Sequence, residues 1–483
     1  MFGVFYDLET SDKNPIGQII NYSFILVDEQ LNILDEISGL VKLSRLQIPE
    51  PGAILANRTD LITHQQVAED YEPAAMLKIF KFINRCIETA NGAIALVGYN
   101  SARFDLNYLR TSLIRNGFNP YFDGKIVPRD LLHVVNKGYL SSSRFREAVR
   151  NQRAGEARLS LALQSVSQAL GLLEGKQAHE SRADVVLTIE LAKWLKCESS
   201  ELDVINCEPY EALVLHSTAR SGSVYLVEQP EYDLSLNAFS VKTPYTLLDA
   251  NNKAGLWIDL DRYSEKQSPE CIVWRSSAKH PFFISHNALN DSRLAGLARA
   301  ALKQFKGITL KGFFKRSTCD VEMDIYRLER DDLGSYIGAV RENNRDLLNE
   351  CVGPEAKVLW VRRVLASPKL SIADPKNEKM LRDYALYRYG GKLQLSKRLG
   401  DEEKANTAVS GSDKSSGDYH RSLLDIVHEL KRSYEAAIIS KNSEDEALLK
   451  SLEIFIRGSD IFRVAGGELV PHWAVGAACY GGR

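Results

Sequence analysis

The sequence predicts an α/β chain whose first part folds around a mixed sheet, and three observations predict it. The run at residues 2–10 is apolar and ends in two carboxylates, Asp7 and Glu9, one residue apart. Residues 19–27 and 33–41 read as two further strands, after which Pro49, Pro51 and Gly52 mark a loop. Residues 72–91 place Met76, Ile79, Phe80, Ile83 and Ile87 at helical spacing, stopping at Gly92, and 93–99 is a short uncharged run of the kind buried on both faces. Strands, helix and buried strand in that order indicate a sheet with both antiparallel and parallel neighbours.

A chain of 483 residues is long for one core, so two or three domains are expected. Its 61 Lys and Arg against 63 Asp and Glu leave a net charge of −2, so a nucleic-acid partner must be held by local basic patches. No apolar run reaches the length of a membrane span, and the first residues lack the basic-then-apolar layout of a signal peptide. The seven cysteines (Cys86, Cys197, Cys207, Cys271, Cys319, Cys351, Cys479) show no CxxC spacing. That argues against a zinc site or a disulfide framework and leads us to expect a cytoplasmic location.

Residues i and i+2 of a strand share a face, so Asp7 and Glu9 stand together at the strand end, with Leu8 turned into the core. Like charges held that close call for a cation, and a hard ion such as Mg²⁺ or Mn²⁺ suits oxygen ligands. Asp105 precedes Leu106, Leu109 and Leu113 and so sits at a helix entrance, where capping would be its ordinary duty. Asp130, before Leu131 and Leu132, reads as a cap and is left out of the site. Ser181 and Asp184 fit a capping box, which accounts for Asp184 but not for His179 in the preceding loop. An imidazole there can reach across a site whose metal the carboxylate holds.

This ordered set, Asp7 and Glu9, then Asp105, then His179 with Asp184, resembles the three motifs of the DEDD-type 3′–5′ exonucleases that carry a histidine in the third. The segments 48–53, 98–105, 130–133 and 178–184 narrow the resemblance to the bacterial exonuclease I family, and it continues weakly to about residue 463. It implies a ribonuclease H-like mixed-sheet exonuclease domain (1–198), an SH3-like β-rich domain (205–352), a C-terminal helical bundle (355–463) and a tail (464–483). The implied activity is release of 5′-mononucleotides from the 3′ end of single-stranded DNA, in DNA repair and recombination. Four such acids can jointly hold two divalent ions about 4 Å apart. By resemblance, Mg²⁺ fills both places and Mn²⁺ substitutes; Asp7, Glu9 and Asp184 share the nucleophile-side ion, Asp7 bridges, and Asp105 serves the second. His179 takes the proton from water, as an imidazole pKa near ~6.5 allows. Besides single-stranded DNA, the implied partner is the acidic C-terminal tail of single-strand-binding protein, and a monomer is expected.

Bases of a single strand stack on aromatic rings for roughly 1–3 kcal/mol each. Thr10 and Phe104, beside the acids, are the candidates for the terminal nucleotide, while Tyr99 and Tyr108 read as core. Arg144, Arg146, Arg150, Arg153 and Arg158 form either a phosphate track or a solvated loop ahead of a helix beginning near Leu159. The short alternating segments from about 209 to 352 read as half-buried strands, with helical spacing intruding at 291–306 and 331–348. There Arg275 and Lys279 face the DNA groove by resemblance, and His280 and His286 have no partners at metal-ligand spacing. Leu423, Ile426, Leu430 and Tyr434, then Leu448, Leu452 and Phe455, form helical stripes, as do Val358, Val361 and Leu365. Tyr384 and Arg388 face the DNA channel by resemblance, and 400–418 reads as a mobile loop.

Three other readings compete. A 3′–5′ exoribonuclease or oligonucleotidase would use the same acids. A catalytically silent single-strand-binding protein would need neither paired acids nor a loop histidine. A phosphatase built on Asp-x-Asp-x-Thr is undercut by Glu9 at the second acid.

Overall fold

The computed structural model describes residues 1–13, 17–43, 48–152, 158–175, 180–206, 222–233, 238–250, 254–276, 283–284, 291–310, 423–458, 462–465 and 468–471. Its central element is β1 (Gly3–Thr10), the fourth strand of a six-stranded sheet. On one side lie β2 (Ile19–Val27), β3 (Ile33–Lys42) and the two-residue β4 (Asp70–Tyr71); on the other lie β5 (Ile94–Gly98) and β6 (Ile126–Asp130). β1 runs antiparallel to β2 and parallel to β5, and β5 runs parallel to β6. The mixed sheet is therefore as expected. Because β1, β5 and β6 run the same way, their C-terminal ends open on one edge, where ligand sites form in sheets of this kind.

Helices cover both faces. α3 (Glu72–Ala90) and α4 (Asp105–Arg115) pack on one side, with Met76, Ile79, Ile83 and Leu109 in its core. α3 ends one residue earlier than Gly92 suggests, because Asn91 itself takes the left-handed conformation (φ 47°). The other side carries α5 (Leu131–Ser141), α6 (Ser143–Gln152), α7 (Leu163–Ala169) and α8 (Ser181–Glu198), whose core includes Phe145, Val166 and Ile189. The arginine-rich stretch is thus mostly helix, with Phe145 and Val149 as its buried stripe, and the helix expected near Leu159 begins at Leu163.

The loop after β3 also holds two short helices, α1 (Pro51–Ala56) and α2 (Leu61–Val67). Pro51 begins α1 instead of breaking it, since a first-turn proline needs no N–H partner. Asp60 caps α2 by accepting from Ile62 and Thr63.

A second sheet, five-stranded and antiparallel, has the order β10-β9-β8-β7-β11. It comprises β7 (Val224–Pro230), β8 (Ser240–Ala250), β9 (Ala254–Asp259), β10 (Ile272–Ser276) and β11 (Phe283–Ile284). β9 is buried at every position instead of half-buried, because α9 (Leu260–Glu265) and α10 (Ser292–Gln304) cover the face bearing Leu256 and Ile258. α10 matches the helical spacing read at 291–306; the spacing at 331–348 lies outside the described residues.

Farther along, α11 (Leu423–Ser440) and α12 (Ser443–Arg457) precede a hairpin of β12 (Phe462–Ala465) and β13 (Glu468–Pro471). Their stripes do not close on each other alone. Ile426, Leu430, Leu449 and Leu452 share one core with Ile20, Leu43, Ile54 and Leu61 of the first region. Arg58 pairs there with Glu444 and Asp445, and the Leu61 N–H donates to Ser451 Oγ at 3.1 Å. Leu452 is fully buried in this seam. We therefore expect Leu452→Ala to cost about 2–5 kcal/mol, read as a lower urea midpoint, and to expose α1 and α2 to proteolysis. Among the described residues no helix is long and apolar enough to cross a membrane.

Candidate active site

Strand parity brings the acids together. Phe5 of β1 packs in the core beneath α5 to α8, whereas Val4, Tyr6 and Leu8 pack on the α3–α4 side. Asp7 and Glu9 share the parity of Phe5 and so face α8, where Asp184 lies buried in the first turn. One carboxylate oxygen from each of Asp7, Glu9 and Asp184 lies within 4.8 Å of the others.

The expected capping box is absent. Glu180 is the N-cap of α8 and makes no side-chain cap bond, while Ser181 Oγ donates to Asn21 Oδ1 at 2.9 Å. Asn21 is the register partner of Glu9 on β2, so this bond pins the first turn of α8 beside the acids. Nothing in the spacing around Asn21 could have signalled that. Asp105 is the first residue of α4, and the Phe104 carbonyl accepts from the N–H groups of Asn107 and Tyr108 at 3.0 and 3.3 Å.

The cluster is electrostatically costly. Burial pushes the Asp7 carboxyl well above its ordinary range, with Asp105, Glu9 and Asp184 adding to the push. Burial does the same to Asp105, followed by the charges of Asp130 and Glu9, against its own backbone N–H. Glu9 is pushed up to about 7, by burial first and then by Asp184. Crowded carboxylates that resist ionising together are what a divalent cation relieves. The donors are all carboxylate oxygens, which fits a hard ion.

The turn before Asp105 is tightly folded. A Cβ at Gly98 would stand 2.5 Å from Ser101 Cβ, so only glycine lets the chain double back. Asn100 follows with φ 57°. Asp130, at the end of β6 and in register with Gly98, accepts from Asn100 N at 2.8 Å and Ala102 N at 3.0 Å, besides capping α5 through Leu132 N at 3.0 Å. Capping was thus only part of its duty. The missed signal was its place at the end of a strand parallel to β1.

Thr10 and Phe104 adjoin the acids. Thr10 is buried and its Oγ1 donates to the Asp12 carbonyl at 2.9 Å. Phe104 packs on Tyr108, ring centroids 5.1 Å apart. Tyr108 is core, as expected, and its hydroxyl reaches Asp12 Oδ1 at 2.8 Å, tying the segment after β1 to α4. Tyr99 is partly buried and donates to the Leu161 carbonyl.

The arginines make contacts within the molecule. Arg144 pairs with Glu198 at 3.2 Å and lies over the Trp194 ring. Arg146 donates to the carbonyls of Tyr139 and Leu140 at 3.0 and 3.1 Å and covers the Phe239 ring at 3.9 Å. Arg150 donates to the Ala238 carbonyl at 2.9 Å. Arg158 is exposed, its backbone bridged to Asp233. Arg146 and Arg150 therefore join α6 to the approach to β8, a long-range contact that charge density in sequence does not reveal. His179, Arg153, Lys279, His280, His286, Tyr384, Arg388 and the stretch 400–418 lie outside the described residues.

A six-stranded mixed sheet, with acids at the end of β1 and in the first turns of α4 and α8, gives this chain a ribonuclease H-like fold. Within that class, its likeness is to bacterial exonuclease I. It is 26% identical to the exodeoxyribonuclease I of Escherichia coli over 208 residues, 41% of each chain. To that of Haemophilus influenzae it is 28% identical over 207 residues, 41% of this chain and 40% of the relative. The chain thus spans about two fifths of the length of the curated relatives it matches. In fold the likeness is longer. The exonuclease I of Methylocaldum szegediense matches 95% of this chain and 99% of its own at a TM-score of 0.63 and 17% identity. The E. coli exonuclease I bound to a dA16 oligonucleotide matches the same shares at 0.60 and 18% identity. A zinc-bound form of the E. coli exonuclease I–single-stranded DNA complex is also among the similar structures. No family model matches the chain.

Proposed function

We propose that this protein is a metal-dependent 3′–5′ exonuclease that shortens single-stranded DNA by one 5′-mononucleotide at a time. The observation that carries this reading is the convergence of Asp7, Glu9 and Asp184 within 4.8 Å, with the charge of Asp105, at the start of α4, pressing on Asp7. Binding a strand needs no such assembly, since burying four acids together costs stability.

Asp7, Glu9 and Asp184 would hold one Mg²⁺ and Asp7 with Asp105 a second; bound there, such ions supply charge neutralisation and a lowered pKa for water. The residues do the rest. His179 takes a proton from the attacking water as its oxygen forms the new bond to phosphorus. The bond from phosphorus to the 3′ oxygen of the neighbouring nucleotide breaks, and that oxygen leaves with the bonding pair and takes a proton from solvent to become the new 3′ hydroxyl. Thr10 and Phe104 position the departing nucleotide, and Arg144, the exposed Arg158, Tyr384 and Arg388 meet the phosphate backbone. The fold likeness to a dA16-bound exonuclease I favours DNA as the strand.

The test is digestion of single strands labelled at the 3′ or the 5′ end, with Mg²⁺ and with EDTA, beside matched ribo-oligomers. Release of the 3′ label as a mononucleotide, abolished by EDTA, is expected. Release from the 5′ end first, or activity undiminished by EDTA, would refute the reading.

A further inference from the structure

We propose that Asp130 is a positioning residue for the second acidic site, its carboxylate fixing the turn from which Asp105 enters the metal centre. This deepens the functional reading above and rests on it. One carboxylate serves three backbone donors on two elements: Asn100 N at 2.8 Å and Leu132 N at 3.0 Å on Oδ1, and Ala102 N at 3.0 Å on Oδ2. A helix cap needs the Leu132 N–H alone. The other two donors belong to the turn between β5 and α4, three to five residues before Asp105.

That turn is sharply folded. Asn100 holds φ 57°, uncommon for a residue with a side chain, and the turn folds so closely that Ser101 would meet any Cβ at Gly98. The Ser101 carbonyl then accepts from the N–H groups of Phe104 and Leu106 at 3.2 and 2.9 Å, starting the helix. A buried anion collecting the first N–H groups of this sequence sets the direction in which Asp105 emerges. Asp130 is 2% exposed, so its bonds are not exchanged for water. Its charge also acts on Asp105, favouring a cation there.

Residues that orient metal ligands typically change metal affinity or activity by roughly 10–100-fold when replaced. The test is Asp130→Asn, because asparagine remains a good N-cap for α5 but gives up the charge and one acceptor. Asp130→Ser, which still caps but is too short to span the turn, is the second variant. Asp291→Asn, the cap of α10, is the control. Mn²⁺ binding, followed by electron paramagnetic resonance of the free ion, is read beside thermal unfolding and the rate at saturating Mg²⁺. We expect both Asp130 variants to bind Mn²⁺ at least tenfold more weakly and to lose rate, with Asp291→Asn unchanged in both. Wild-type Mn²⁺ affinity in a folded Asp130 variant would overturn the proposal and leave only a cap. Failure of the unaltered protein to bind Mn²⁺ would instead sink the metal-centre reading and the proposal with it.

Discussion

Asp7→Asn should abolish hydrolysis, lowering the rate by roughly a thousandfold or more, while leaving single-strand binding near its wild-type strength. The magnitude follows from where Asp7 stands. It is the acid whose charge is opposed by all three others, Asp105, Glu9 and Asp184, so it is central to any cation that neutralises them. Losing one preorganised charge at a reacting phosphate typically costs 10²–10³-fold, and a ligand shared between two ions costs at least the upper figure. The amide keeps the shape of the strand end, so β1 and its pairing to β2 and β5 are preserved. A second expectation separates this from general damage. In EDTA the variant should melt a few degrees higher than wild type, because one of four crowded charges has gone. A hydrolysis rate within tenfold of wild type would remove Asp7 from the centre of the mechanism. A lower melting point in EDTA would show that the amide disrupts the strand.

Much of this site was legible because period-2 and period-3.6 patterns act locally. The pairing of Asp7 with Glu9 needed only a strand, and Asp105 only a helix after it. What the sequence could not disclose depends on contacts between distant segments. Ser181 reads as a cap until Asn21, on another strand, takes its hydroxyl. Asp130 reads as a cap until the turn at 100–102 folds back onto it. Arg146 and Arg150 read as part of either a phosphate track or a solvated loop until Phe239 and the Ala238 carbonyl meet them. The stripes of α11 and α12 were correct, but their partner surface on α1 and α2 follows a loop in which Pro51 reads as a breaker. β9 was misjudged for a similar reason, since two helices bury its second face. In each case the missing information was which distant surface came to meet the segment.

The metal-free protein should lose stability as pH rises, and a large part of the slope should go with Glu9→Gln. In the folded chain Glu9 is pushed from the ordinary 4.5 up to about 7, by burial and by Asp184. The folded state therefore holds its proton more tightly than the unfolded state does. A raised carboxyl pKa gives stabilisation that is fully present below about 4.5 and is lost as pH climbs through about 7. The difference is worth about 3 kcal/mol for this group, and the raised carboxyls of Asp7 and Asp105 act in the same direction. Scanning calorimetry in EDTA should thus show a melting point several degrees lower at pH 8 than at pH 5.5. Glu9→Gln, neutral throughout, should flatten a large part of that dependence. Mg²⁺ at about a hundred times its dissociation constant adds about 2.7 kcal/mol to the folded state, so at pH 8 it should restore most of the loss. At pH 5.5, where protons compete for the same oxygens, it should restore little. A melting point in EDTA that rises from pH 5.5 to pH 8 would mean that these carboxylates are not held as close together as the fold requires.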